Sequence, residues 1–377
     1  MKPFLRKLHQ LLGLSVGIWA AVTALTGSLL VFDDEIDAWL NPALLRVAPQ
    51  ALPQDVDAAV ASVRAAFADA PLGSLRLPRT AEEPFVFRIS DESVRHVFVD
   101  PYTAEILGTR GEHAGIMGFL WDLHVHLLAG ETGEQVAGYL ALALIVMLIS
   151  GLVLWWPSRR DPGKAFRIKW SSGGLPRMYD LHRVMGALAA PFILVVVVTG
   201  AMLVFHGITL GWLVGLFGGP TPTPAPQVTV ASATTPVSAW IRAAQASLPE
   251  ATPMSVTFAR EPGRAAVVRL RHAANPHPNG RSFIAVNPYS AEVLQVHDWR
   301  SAGTGVRVSD YKYPLHIGDA FGLPGRLLVL FTGLLPVALL LTGGYVWWRK
   351  RRLRRERTRT GSRSTHIEAQ RLAARRS

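Results

Sequence analysis

The two halves of this chain carry the same text at the same spacing, and the shared letters include histidines at the edges of long apolar segments. His9 is followed by Gly13, Thr26-Gly27 and Phe32, and His182 by Gly186, Thr199-Gly200 and Phe205, so offsets of 4, 17, 18 and 23 residues recur. A second pair repeats too. His124 precedes Gly151 by 27 residues and Trp155 by 31, and His316 stands at the same offsets from Gly343 and Trp347. A duplication that fixes ionisable residues at the ends of membrane-length helices points to paired ligands rather than to scattered core histidines.

Four stretches are long and apolar enough to span a bilayer, roughly Leu11 to Phe32, Val136 to Trp156, Val184 to Phe205 and Leu327 to Trp348. Lys2, Arg6 and Lys7 before the first of them would also suit a signal peptide. The run is too long for that, and the third stretch repeats its pattern deep inside the chain, so a retained helix is expected.

Charge sets the expected orientation. Residues 1–10, 157–183 and 349–377 together hold 22 Lys/Arg against 4 acidic residues, whereas all other residues hold 17 against 23. The basic side is expected to be cytoplasmic, with both termini inside and two large loops outside. The basic excess then reports topology and contact with anionic membrane lipid; it predicts no nucleic-acid partner. The tandem tryptophans beside Pro157 and Arg349 suit the membrane interface. The chain has no cysteine, which excludes disulfides, thiolate catalysis, iron–sulfur clusters and covalently attached haem.

Each half reads as helix, outside segment, helix. The outside segments hold a helix-like run (Val56–Ala68, Val237–Ser247) followed by hairpins at Phe85–Ile89 with Val94–Val99, and at Ala266–Leu270 with Ser282–Val286. Each hairpin leads into matching text, Val99-Asp100-Pro101-Tyr102-Thr103-Ala104-Glu105-Ile106-Leu107 and Val286-Asn287-Pro288-Tyr289-Ser290-Ala291-Glu292-Val293-Leu294, which indicates a duplicated small α+β domain. The proline-rich residues 221–226 read as an extended linker.

The repeated histidine-glycine helices, the Asp/Asn-Pro-Tyr strands, the Asp310-Tyr-Lys-Tyr-Pro-Leu-His316 segment and the tandem-Trp helix ends resemble the PepSY-associated transmembrane proteins over nearly the whole chain. The best-known branch of that family comprises FoxB-like inner-membrane siderophore reductases described as dihaem proteins. The resemblance implies an internally duplicated membrane α-helical bundle of four transmembrane helices with two periplasmic α+β PepSY-like domains. The expected layout is helix 1 at 1–32, the first domain at 33–122, a lead-in segment and helix 2 at 123–156, and a basic loop at 157–181. Helix 3 follows at 182–206, the second domain at 207–312, a lead-in and helix 4 at 313–348, and a basic tail at 349–377.

Within that frame His9 and His182 start two long helices at one depth, as a bis-histidine haem site needs. Gly13 and Gly186 lie one turn deeper on the same face, where a flat porphyrin could rest on bare backbone. The bland alternative is an interfacial histidine beside a small-residue packing seam. His124 and His316 form the outer pair, on lead-in segments; His126 and His206 are alternative ligands there. Gly27 and Gly200 stand five turns beyond His9 and His182, and Gly151 and Gly343 are expected to face haem from the other two helices. Two haem b groups are thus expected, with no catalytic residue beyond their ligands.

The expected activity is reduction of a ferric siderophore at the periplasmic face of a bacterial inner membrane, with quinol or a cytoplasmic reductase as electron donor. Phosphate-loop, dinucleotide and His-Glu-x-x-His motifs are absent from the sequence. Arg269, Arg271, Arg307, Lys312, Trp299 and Tyr311 are candidates for an outer mouth, and His272 and His277 for a solvated loop able to bind a surface metal. The rival readings are a membrane-anchored module that binds or inhibits a periplasmic peptidase, and an accessory of haem or metal uptake.

Overall fold

The fold is given by a computed structural model, which describes residues 2–374 apart from 91–92, 158–160, 222 and 260. Pro222 of the linker, Arg159 and Arg160 of the basic loop, and the last three residues of the tail therefore lie outside the described residues. The helices are α1 (Lys2–Ser15), α2 (Gly17–Leu30), α3 (Asp33–Leu40), α4 (Pro42–Leu45), α5 (Val56–Ala66), α6 (Gly115–His126) and α7 (Gly130–Trp155). Those of the second half are α8 (Gly174–Val204), α9 (His206–Phe217), α10 (Val237–Ser247), α11 (Thr304–Asp310), α12 (Lys312–Ile317) and α13 (Gly322–Ala374).

Three of these helices are long and apolar enough to cross a membrane, and α1 with α2 makes a fourth when read as one bent span. The first span is not straight: α1 and α2 meet at 55°. The break falls where Ser15 Oγ donates to the Leu11 carbonyl at 2.9 Å, between Gly13 and Gly17, a combination that loosens a helix locally.

The chain divides into two units. One comprises Met1–Ser28, Tyr139–Val198 and Phe331–Ser377. Its core packs Val16 and Ala20 against Leu144, Leu148, Ala189, Ala190 and Ile193. Small residues let the helix backbones come close, as membrane packing favours. A Cβ on Gly333, for instance, would run into Ser28 Oγ and the Ala24 carbonyl. Facing outward on α7 are Tyr139, Leu142, Val146, Ile149 and Val153, and on α8 Leu188, Phe192, Val195 and Val198. Exposed apolar stripes at helical spacing are what lipid covers. At the basic ends, cations sit over aromatic rings: Lys350 over Tyr179 at 4.9 Å and Arg351 over Trp347 at 5.3 Å.

The other unit comprises Leu29–Gly138 and Thr199–Leu330. The expectation of two separate α+β domains needs revision here. Strands β1 (Leu72–Arg76), β2 (Phe85–Ser90), β3 (Val94–Val99) and β4 (Ile106–Gly111) join β5 (Ala251–Thr257), β6 (Ala266–His272), β7 (Ser282–Val286) and β8 (Val293–His297) in one antiparallel sheet, ordered 4-3-2-1-5-6-7-8. The seam is β1 against β5, with Leu75 opposite Val256, both fully buried. Fusing two four-stranded sheets at these strands removes two edges that would otherwise invite aggregation. One core runs across the seam, joining Val60, Val63, Phe87 and Val97 of the first copy to Trp240, Val268, Leu270 and Ile284 of the second.

Both copies make the same turn. Asp100 Oδ1 accepts from the Tyr102 amide at 2.8 Å and Asn287 Oδ1 from the Tyr289 amide at 2.9 Å, and Ala104 and Ala291 follow at φ 56° and 60°. Trp240 sits where α10 meets the sheet, its indole N–H donating to Thr235 Oγ1 at 2.8 Å. Trp240→Ala should therefore cost about 3–5 kcal/mol, lost from both halves of the sheet together because they share that core. Amide hydrogen exchange of the solubilised protein checks this: protection should fall in β2 and β3 as well as in β5–β7.

Candidate functional site

His9 rises from α1 into the helical unit. Its Nδ1 lies 3.1 Å from the Met147 carbonyl and 3.2 Å from Ser150 Oγ. A carbonyl only accepts, so Nδ1 carries the proton and Nε2 keeps its lone pair. His182 on α8 repeats the arrangement on the next helix pair, with Nδ1 3.1 Å from the Leu339 carbonyl and 3.2 Å from Thr342 Oγ1. The partners are themselves held: Ser150 Oγ donates to the Met147 carbonyl and Thr342 Oγ1 to that of Ala338, both at 2.7 Å. Metal-binding imidazoles are oriented by just such outer hydrogen bonds.

The two ring centroids lie 6.2 Å apart, with the ring planes at 70°. Two imidazoles bound through Nε2 to opposite sides of one metal, at about 2 Å each, have centroids about 6 Å apart. The pair therefore fits an iron between them. A cavity of about 420 Å³ adjoins both rings, within the ordinary range for small-molecule sites. Its walls are Met147, Leu148, Ile193 and Leu339, with Gly13, Gly17 and Gly186 keeping the helix surfaces low. Arg6, Gln10, Arg183 and Lys350 also line it. An apolar slot with a cationic lining suits a planar macrocycle that bears carboxylates.

The glycines divide into two roles, which the sequence reading had merged. Gly13 and Gly186 line the cavity, with added Cβ atoms 3.8 Å from Met147 Sδ and 3.4 Å from Leu339 Cδ2. Gly151 and Gly343 make room for the histidines instead: a Cβ there would lie 2.9 Å from Cε1 of His9 and of His182 respectively. Each ring packs on bare backbone one residue after the hydroxyl that binds it. The signal in the sequence for Ser150 and Thr342 as partners is that each directly precedes its glycine in the repeat.

The outer pair is assembled in the other unit. α6 carries His124 and α12 carries His316, so both lead-in segments are short helices. Their rings lie 6.1 Å apart, the same spacing as the inner pair. His316 Nδ1 lies 3.3 Å from Thr199 Oγ1, and a Cβ on Gly200 would be 2.9 Å from His316 Cε1. Thr199-Gly200 thus seats His316 as Thr342-Gly343 seats His182. Gly27, the copy of Gly200, lies in α2 beside Thr26. Each lead-in helix then ends in left-handed backbone, Leu127 at φ 50° and Gly318 at φ 84°.

The alternative outer ligands are placed elsewhere. His126 Nδ1 bonds Asp122 Oδ1 at 2.9 Å, and its ring meets His113 edge-on at 5.8 Å. His206 is engaged by the Lys312 ammonium, which is itself buried. His272 and His277 are both buried rather than solvated. His272 bonds Asp298 at 2.9 Å; His277 stacks on Tyr313 and accepts from Arg281 Nη2 at 2.8 Å. Burial and the surrounding arginines push the His277 imidazole down to about 3, so it stays neutral at ordinary pH. Of the mouth candidates, Arg307 covers Trp299 at 5.2 Å and Arg269 covers Phe283 at 5.1 Å.

Among known families, the model described as PepSY-associated TM region matches residues 6–350. Comparison with curated proteins gives no match.

Proposed function

Because the chain belongs to the PepSY-associated TM family, a family of membrane proteins, we propose that it is a dihaem electron-transfer protein that reduces ferric siderophores outside the cell membrane. His9 and His182 hold the inner haem b in this reading, and His124 and His316 the outer. Bound haem iron supplies reversible one-electron exchange.

The observation that supports this most is the pairing itself: four histidines form two close pairs, with ring centroids 6.2 and 6.1 Å apart. In three of the four, Nδ1 is within hydrogen-bond distance of a carbonyl or hydroxyl and the ring is seated over a glycine, which fixes the ring's position and leaves Nε2 free of those contacts. Helices that served only as anchors for a peptidase-binding sheet would have no use for either feature. The Met147 and Leu339 carbonyls fix the tautomers of the inner pair, aliphatic side chains wall the cavity, and Arg6, Arg183 and Lys350 would meet the carboxylates of a macrocycle there.

The basic segments at residues 1–10, 157–183 and 349–377 support a reading in which both termini are cytoplasmic and the outside segments are periplasmic. Electrons enter from quinol or a cytoplasmic reductase. A siderophore gives up its iron on reduction because Fe(II) is held poorly by hard oxygen donors.

The test is stopped-flow reoxidation. Protein reduced with a quinol analogue should return to its oxidised absorption spectrum when a ferric siderophore is added, within the time ferricyanide takes in a parallel run or somewhat longer. Reoxidation by ferricyanide but by no ferric chelate would remove the siderophore from the account.

A further inference from the structure

A cavity of about 340 Å³ lies between one face of β1–β4, α3 and α6. Its polar wall contains Arg76, Arg88, Arg110 and Asp33. The three arginines reach it from the sheet and each is neutralised by a carboxylate. Arg110 binds Asp37 through two bonds of 2.8 and 2.6 Å, Arg88 binds Glu112 at 3.0 and 3.3 Å, and Arg76 lies 3.4 Å from Asp34. They present N–H donors without a large field, which suits an oxygen-rich ligand of low net charge.

The opposite wall is α6, through Met117 and Trp121, and Trp121 stands one turn before His124 on that helix. In the second copy the corresponding positions carry side chains engaged in contacts of their own. At the second-copy position of Trp121 stands Tyr313, under the ring of His277, and at that of Gly118 stands Asp310, paired with Arg281 at 3.4 Å. The loop bearing His277 and Arg281, between β6 and β7, is longer than its counterpart between β2 and β3 and closes that region.

Asp33 opens α3 and, among the described residues, forms no ion pair. Its Oδ1 accepts from the Asp34 amide at 2.8 Å. Facing it are Asp34 and Glu35 of its own helix, Arg76 of β1, Tyr313 of α12 and Arg326 of α13. Burial first, and then the neighbouring carboxylates, raise its pKa to about 6.

We propose that this cavity receives the oxygen-donor ferric chelate and that the Asp33 carboxyl gives its proton to a chelator oxygen as the iron is reduced. The proposal rests on the electron-transfer reading above. One electron, originating from the quinol or reductase, converts Fe(III) to Fe(II), and an iron–oxygen bond breaks with its electron pair left on oxygen. The carboxyl O–H breaks, a new O–H forms on that oxygen, and the Asp33 carboxylate regains a proton from water on the outer side. Protonation blocks rebinding, so the proton commits the release.

Two readouts on the full chain separate the site from the chemistry. Gallium(III) trihydroxamate is a redox-inert probe, whose binding is measured by calorimetry. Ala38→Trp and Ser74→Phe fill the cavity from opposite walls, and each should weaken binding by at least about ten-fold; unchanged binding in both overturns the site. Asp33→Asn is titrated with the gallium chelate in the same way, and its reoxidation is then compared with the wild type at saturating ferric chelate. In the wild type, reoxidation by the ferric chelate should slow about ten-fold per pH unit above about pH 6, the range in which a carboxyl with a pKa of about 6 loses its proton. Asp33→Asn should be slow and flat across the range, while Asp33→Glu restores the slope; a profile for Asp33→Asn that overlays the wild type overturns the proton donor. If no ferric chelate oxidises any variant, the electron-transfer reading fails and the proton step falls with it, whereas the gallium result still decides the cavity.

Discussion

His9→Ala and His182→Ala should each purify with about half the wild-type haem, and both should lose the same group. His124→Ala and His316→Ala should lose the other. The reasoning is geometric. Each ring of the inner pair has one partner at 6.2 Å, so either substitution leaves a single imidazole in an apolar cavity. A buried macrocycle held by one imidazole has lost both bond strength and orientation. The double variant His9→Ala/His182→Ala should be no worse than either single one, because the two act as one site. His126→Ala, which removes a ring bonded to Asp122 within its own helix, should keep both haems. Haem-to-protein ratios from the pyridine adduct read all of these directly. Loss of neither haem in His9→Ala would refute the inner assignment.

Gly151→Leu and Gly343→Leu should empty the inner site as completely as the histidine substitutions, without touching a ligand. A Cβ at either position lies 2.9 Å from Cε1 of the seated imidazole, closer than real contacts allow. The ring must lift, and lifting breaks its bond to the Met147 or Leu339 carbonyl at 3.1 Å. A freed imidazole no longer has a fixed tautomer, so Nε2 loses both aim and proton bookkeeping. Gly200→Leu should do the same to His316 and so to the outer haem. The helices themselves should tolerate these changes, since replacing a helical glycine gains up to about 1 kcal/mol of helix propensity. Gly13→Ala is the control: its Cβ meets only Met147 Sδ at 3.8 Å, so most of the inner haem should remain. Equal haem loss in Gly13→Ala and Gly151→Leu would mean that general packing, not the seating of the histidine, is at stake.

Much of this was legible in the sequence because a duplication states each constraint twice. The offsets from His9 to Thr26-Gly27 and from His182 to Thr199-Gly200 mark the histidines and the hydroxyl-glycine steps by spacing alone. The membrane helices, the strand pairs and the matching Asp100 and Asn287 turns follow from local pattern, which period and turn chemistry carry. The joining of the two outer segments into one sheet does not. The β1–β5 seam pairs residues such as Leu75 and Val256 that are far apart in the chain, and a repeat fixes the copies without saying whether their edges meet. The bend at Ser15 was hidden for a different reason: the apolar run continues through it unbroken.

Within the site, the carbonyls of Met147 and Leu339 leave no trace in a sequence, because every residue has one. Gly151 and Gly343 were visible as repeated glycines, yet only the position of the rings shows that the missing side chain accommodates histidine rather than macrocycle. His272 and His277 illustrate the converse: a loop text of Ala, Asn, Pro and Gly suggests solvated side chains, and the long β6–β7 connection instead folds them into the unit's interior.

The central claim is that each chain holds two haems, each between two histidines. The most direct measurement is the haem content of protein produced with ample haem, combined with low-temperature electron paramagnetic resonance of the oxidised form. The account predicts about two b-type haems per chain, both low-spin as two imidazole ligands require. Protein without a Soret band under those conditions, or with a single high-spin haem, would contradict it.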